Sequence, residues 1–147
     1  MTEGEARELA ARLLDAFPQT PPRERTEAIF VRYLRDLEYE SAAAAVTEEI
    51  ACATQLPTVG AIRSRIFEEG LALPRPLDAW QSVVERGGEL HPLVAEVTAR
   101  LGGTFAIRTH DQPSIIRSQF LAAYGERRDE EVRRANLASL RGRRRAA

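Results

Sequence analysis

The side chains best suited to chemistry are few and scattered in this chain. Cys52 is the only cysteine, and His91 and His110 are the only histidines. His91, His110 and Asp111 offer two imidazoles and a carboxylate, a donor set that a transition metal accepts. No HExxH pattern or paired-cysteine spacing accompanies them, so the simpler expectation is structural: His91 supports a helix start before Pro92, and His110 sits in a polar loop. Glu48-Glu49 and Glu68-Glu69 are adjacent pairs, and neighbours on a helix do not face each other across a cleft. Solvated faces explain them more simply than acid–base catalysis. Gly87-Gly88 and Gly102-Gly103 lack the spacing and the lysine of a phosphate loop, which argues against nucleotide hydrolysis by this chain alone. No catalytic residue, cofactor or metal is expected, and the chain reads as a non-enzyme.

Arginine supplies chemistry of another kind. All 21 basic side chains are arginine, and the net charge of -1 conceals an asymmetry. Residues 1–70 carry 13 acids against 8 arginines, whereas residues 71–147 carry 9 acids against 13 arginines. Arg141, Arg143, Arg144 and Arg145 form a basic end that could bind phosphates without reading bases, or meet an acidic protein surface. Arg127, Arg128, Arg133 and Arg134 are diluted by Glu126, Asp129, Glu130 and Glu131, and a salt-bridged helix face is the plain alternative there.

These residues must be positioned by helices. A chain of 147 residues, 44% apolar, suits one domain, or one domain with an extension, and needs no metal or disulfide to hold a core. Cys52 lies in an alanine-rich run and is expected to be a small buried apolar side chain. MTEGEARELA lacks the apolar core of a signal peptide, and no apolar run approaches the ~18 residues of a membrane span, so a cytoplasmic location is the default expectation.

Apolar spacing predicts a first helix over 3–16, with Leu9, Leu13 and Phe17 on one face, ended by Pro18. FPQTPPRE is a stiff connector. A second helix is expected from about Arg23 to Leu37, through Ile29, Phe30, Tyr33, Leu34 and Leu37, with Tyr33 and Tyr39 at the core edge. Ser41 is a candidate cap for a third helix, interrupted by Pro57, and Thr58 for a fourth, with Val59, Ile62 and Ile66 inward. Beyond the Pro74/Pro76 boundary, helices are expected over Leu77–Arg86, closed by Gly87-Gly88, from Pro92 to Leu101, and from Pro113 onward. In the last, Ile116, Phe120 and Tyr124 are spaced four apart. Thr104–Arg108 alternates like a strand without an evident partner, and reads as an extended loop or irregular turn. RGRRRAA is expected to fray.

The fold expected is all-α: a small multi-helix orthogonal bundle with a C-terminal helical extension. Its parts are an N-terminal helical body over 1–73, a second subassembly over 77–124 and a charged extension over 125–147. The Leu-Pro-Thr joint also has the outline of a DNA-reading helix-turn-helix, in which Arg63, Ser64 and Arg65 would be the contacts.

At LLDAFP, YLRDLEYE, AVTEEI and LPTVGAI the chain resembles the small phage-encoded loaders and inhibitors of the replicative DNA helicase. WQSVVERGG, HPLVAEVTARLGG and IIRSQFLAAYGE look like the second half of phage replication proteins. The resemblance implies a helical N-terminal region and a C-terminal region that engages the hexameric helicase, delivers it to an initiator-bound origin and restrains it meanwhile. This chain departs from that pattern by staying amphipathic through at least Tyr124. The expected partner surface is Phe120, Tyr124, Arg127, Arg128, Arg133 and Arg134, where aromatics would give contact area and arginines directional bonds. Two alternatives stand beside it. One is a small helix-turn-helix-like DNA-binding regulator using Arg63, Arg65, Arg141, Arg143, Arg144 and Arg145; the other is a phage or mobile-element structural adaptor.

Overall fold

The computed structural model describes residues 1–18, 23–85 and 88–146, with side chains through 142. Among them are eight helices and no strand: α1 (Glu3–Ala16), α2 (Arg23–Leu34), α3 (Tyr39–Cys52), α4 (Val59–Gly70), α5 (Pro76–Val84), α6 (Pro92–Arg100), α7 (Gly103–Arg108) and α8 (Pro113–Ala146). The protein is an all-α, multi-helix bundle. No described helix is long and apolar enough to cross a membrane.

The chain divides into two compact units, Met1–Leu71 with Ala135–Ala147, and Ala72–Arg134. The units meet near residue 72 and again between Arg134 and Ala135, whereas the sequence expectation put its divisions near 73–77 and at 125. One helix, α8, gives its first part to the second unit and its last part to the first. The charged segment was expected to be a helical extension, and α8 does run on as helix through Gly125 to Ala146.

In the first unit, α1 packs on α2 and α3, and α4 packs on α2 and α3. Leu9 and Leu13 of α1, Phe30 and Leu34 of α2, Val46 of α3, and Ile62 of α4 meet in its core. The helix starts are chemically marked. Thr2 and Glu5 form a reciprocal capping box on α1. Thr58 Oγ1 accepts the Ala61 N–H at 3.1 Å, as its position predicts. The third helix starts earlier than expected. The Glu38 carboxylate accepts from the backbone N–H groups of Glu40 and Ser41, so Glu38 is the cap and Ser41 lies inside the helix. These bonds hold the Glu38 carboxyl below the usual carboxylate range.

Other corrections are local. The second helix stops at Leu34, where the Leu37 N–H turns back to the Leu34 carbonyl at 2.9 Å. Cys52 is exposed, not buried; the fully buried part of α3 ends at Val46, and Cys52 lies past it. Tyr33 is 36% exposed and Tyr39 is partly buried against the core, both at its edge.

In the second unit, α5, α6 and α7 pack against one another and against the first turns of α8. The fifth helix begins at Pro76, its fixed φ serving the first turn, and ends at Val84. Of the expected Gly87-Gly88 stop, Gly87 lies outside the described residues. His91 caps α6, its Nδ1 accepting the Leu93 N–H at 3.2 Å ahead of Pro92. His91→Ala is expected to cost about 1 kcal/mol, and His91→Asn to restore most of it, in thermal unfolding.

The stretch expected to be extended, Thr104–Arg108, is helical. Gly102 and Gly103 both hold left-handed φ, +93° and +89°, closing α6 and restarting the chain as α7. A Cβ at Gly102 would also come within 3.1 Å of the Ala106 Cβ. The alternation of TFAIR is the pattern of a single helical turn with Ile107 buried.

Candidate interaction site

The residues singled out from sequence fall into three environments. Phe120 and Tyr124 are core. Both are fully buried on α8, with Phe120 5.5 Å from the Trp80 ring centroid and 5.8 Å from that of Tyr124. The Tyr124 hydroxyl donates to the Pro74 carbonyl at 2.7 Å, and burial pushes its phenol up. Their four-residue spacing with Ile116 marks an apolar helix face, and the helices α5 to α7 cover that face. As folded, neither ring is available to a partner, which corrects the expectation of an exposed aromatic contact.

Arg63 is likewise inside. It is 2% exposed and paired with Asp36, itself 7% exposed at the side chain. Nη1 and Nη2 reach the two carboxylate oxygens at 2.8 and 2.9 Å, a bidentate fork. Nη1 also donates to the Tyr33 carbonyl, and Nε donates to Asn136 Oδ1 at 2.7 Å. The Ser139 hydroxyl donates to Asp36 Oδ2 at 2.7 Å. The guanidinium lies over the Phe67 ring, 5.6 Å from its centroid. Burial pushes the Asp36 carboxyl up, but the bonds from Arg63 and Ser139 outweigh it and hold the group below its ordinary range.

Arg63 thus ties three pieces of the first unit together: the end of α2, α4 and the last part of α8. A sequence signal for this existed. Val59, Ile62, Arg63 and Ile66 share the i, i+3, i+4, i+7 face, so Arg63 falls on the inward stripe of its helix. Arg65 is taken up as well, by Glu48 and by Glu49 at 3.1 Å. Arg63 is turned inward, away from any DNA, whereas Arg65 stays part-exposed in surface ion pairs.

The remaining arginines lie on α8. Arg127 is mostly buried and spans Glu96, Glu130 and Glu131 at 3.1, 3.2 and 2.8 Å. Hydrogen bonds from Arg127 and Arg134 overcome burial to hold the Glu131 carboxyl low. Arg128 is half-buried, and Arg134 is exposed and paired with Glu131. Arg133 and Arg141 are exposed, with Leu137, 45% exposed, between them. Residues 133, 137 and 141 are four apart and share one helix face. The side chains of Arg143, Arg144 and Arg145 lie outside what is described; the backbone there, expected to fray, is helical through Ala146.

Sequence reading missed one surface. Phe105 is 80% exposed on α7, and Leu77 (58%) and Val84 are exposed on α5. An alternating reading of TFAIR gave no reason to ask which way the phenylalanine points. His91 and His110 each use Nδ1 to accept a backbone N–H, from Leu93 and Gln112. Among the described residues no group of three or more His, Cys, Asp or Glu side chains could hold a metal.

Comparison of the chain with protein-family models, curated proteins and solved structures finds no match.

Proposed function

We propose that the chain is a non-enzymatic replication accessory that binds a hexameric replicative DNA helicase and controls its loading, through the arginine-bordered outer face of α8. The observation that carries this reading is the combination of exposed Arg133, Leu137 and Arg141 on one face with Asn136 and Ser139 on the other, bonded inward to Arg63 and Asp36. A basic face on a helix whose inner side is fixed suits binding better than catalysis, because the helix backbone that carries it needs no ordering when a partner arrives. The segments that resemble helicase loaders also fall together. LLDAFP closes α1, YLRDLEYE joins α2 to α3, AVTEEI lies in α3, and LPTVGAI opens α4, all in the first unit.

The test is binding of the purified chain to the replicative helicase of its host or phage, with and without ATP. Binding is expected, and Arg133→Glu with Arg141→Glu should weaken it by about tenfold or more. No binding under either nucleotide condition sinks the proposal. The DNA-binding alternative draws support mainly from the same arginine face, since Arg63 is buried and Arg65 is held in surface ion pairs with Glu48 and Glu49. It predicts salt-dependent duplex binding that survives Arg65→Ala and fails on loss of Arg133 and Arg141.

A further inference from the structure

The last part of α8, from Ala135 onward, belongs to the first unit, yet none of its described residues joins that unit's apolar core. Val132 is the last buried residue of α8 among those described, and every residue from Ala135 to Gly142 is half-buried or exposed. The core is built without this segment: Leu9, Leu13, Phe30, Leu34, Val46 and Ile62 are buried together within α1–α4. What attaches the segment is polar. Asn136 Oδ1 accepts from Arg63 Nε at 2.7 Å, and the Ser139 hydroxyl donates to Asp36 Oδ2 at 2.7 Å.

An element held in this way opens readily. Little apolar area returns to water when it lifts, so the hydrophobic effect opposes lifting only weakly. Its backbone bonds run along its own axis, so it leaves as a helix and strands no interior N–H or carbonyl. The Arg63–Asp36 fork, at 2.8 and 2.9 Å, lies wholly within the α1–α4 part and survives the departure. Water then takes the place of Asn136 on Arg63 and of Ser139 on Asp36. It also returns some hydration to an ion pair whose side chains are 2% and 7% exposed when covered. Hydrogen bonds are lost while a buried charge pair is rehydrated, and these opposed terms poise the segment between attached and lifted.

We propose that residues 135–142 of α8 form a strap that lifts reversibly from the first unit while α1–α4 stay folded. Closed, the strap holds its inner side on the Arg63–Asp36 pair. Open, it bares that pair and frees the Asn136 and Ser139 side chains. Leu137 and Arg141 are already exposed on the outer side of the closed strap, so only the inner side switches. The device goes beyond the helicase reading and does not need it, because the strap is defined by contacts inside the first unit.

Spin labels on the native Cys52 and on Leu137→Cys test this in the full chain, since both positions are exposed and lie in the first unit. Double electron–electron resonance should give a main, narrow distance for the closed strap and a minor, broader one for the open strap. Asn136→Ala with Ser139→Ala, made in the labelled chain, leaves Arg63 Nε without its acceptor whenever the strap is closed. That change should raise the open-to-closed ratio about tenfold or more. Amide exchange on the same variant should leave the interior of α1–α4 within about twofold of the unaltered chain. A narrow distance that the double variant leaves unchanged overturns the proposal. So does a variant in which α1–α4 exchange quickens along with the distance change, because strap and body would then open as one. Helicase binding is a separate readout, so its failure leaves the distance result standing, and the reverse also holds.

Discussion

Arg63→Met is expected to destabilise the first unit by about 3–5 kcal/mol, because it leaves the Asp36 carboxylate buried without its counter-charge. The loss is larger than that of an exposed ion pair, which is worth about 0–1 kcal/mol, since Arg63 and Asp36 are 2% and 7% exposed at their side chains. It also removes the donor to Asn136 Oδ1, so the last part of α8 loses one of its bonds to the unit. Amide hydrogen exchange should show α1–α4 opening roughly 100-fold or more faster. Adding Asp36→Asn to Arg63→Met should return much of the stability, because the stranded charge is then gone. If Arg63→Met left exchange unchanged, the network would be incidental to the fold.

The same pair sets a pH dependence. The Asp36 carboxyl is held below its ordinary value in the folded chain, so its contribution is complete above the unfolded value, about 3.9. It is lost as pH falls through the lower folded value. Acid unfolding of the first unit should therefore steepen below about pH 4, and Asp36→Asn should flatten that limb.

Phe120→Ala is expected to cost the second unit about 3–5 kcal/mol. The ring sits between Trp80 and Tyr124, and its removal opens a cavity that helical backbones cannot readily collapse into. Trp80 is the only tryptophan, so its fluorescence reports on this unit: emission should move to longer wavelength and the urea midpoint should fall. Tyr124→Phe is the milder companion. It keeps the ring and strands the Pro74 carbonyl, at about 1–3 kcal/mol. A surface aromatic would behave otherwise, with Phe120→Ala leaving unfolding untouched and lowering only partner binding.

Much of the helical plan was legible because it is local. Pro18, Pro92 and Pro113 mark helix boundaries through their fixed φ, and Thr58 and His91 cap through atoms one turn away. The third helix start was missed since glutamate is an uncommon cap; here its carboxylate reaches forward to the N–H groups of Glu40 and Ser41. Thr104–Arg108 was missed since five residues of alternating polarity fit one helical turn as well as a strand, and two left-handed glycines decided between them.

The candidate site was less legible, because burial belongs to pairs of elements. The spacing of Ile116, Phe120 and Tyr124 determined that these residues share a helix face. Whether that face meets α5, α6 and α7 or a separate partner depends on where those helices fold back, which no local pattern carries. Arg63 is the same case in reverse. Its position on the inward stripe of α4 was readable, but only the tertiary structure brings Asp36, the Tyr33 carbonyl, Asn136 and Ser139 to it from up to 76 residues away. By itself the sequence determined an all-α chain, the starts of most helices and the basic character of the C-terminal end. The tertiary structure decided which arginines are structural and which face outward. A buried guanidinium is tolerable only where distant acceptors converge on it, and convergence of that kind is made by packing.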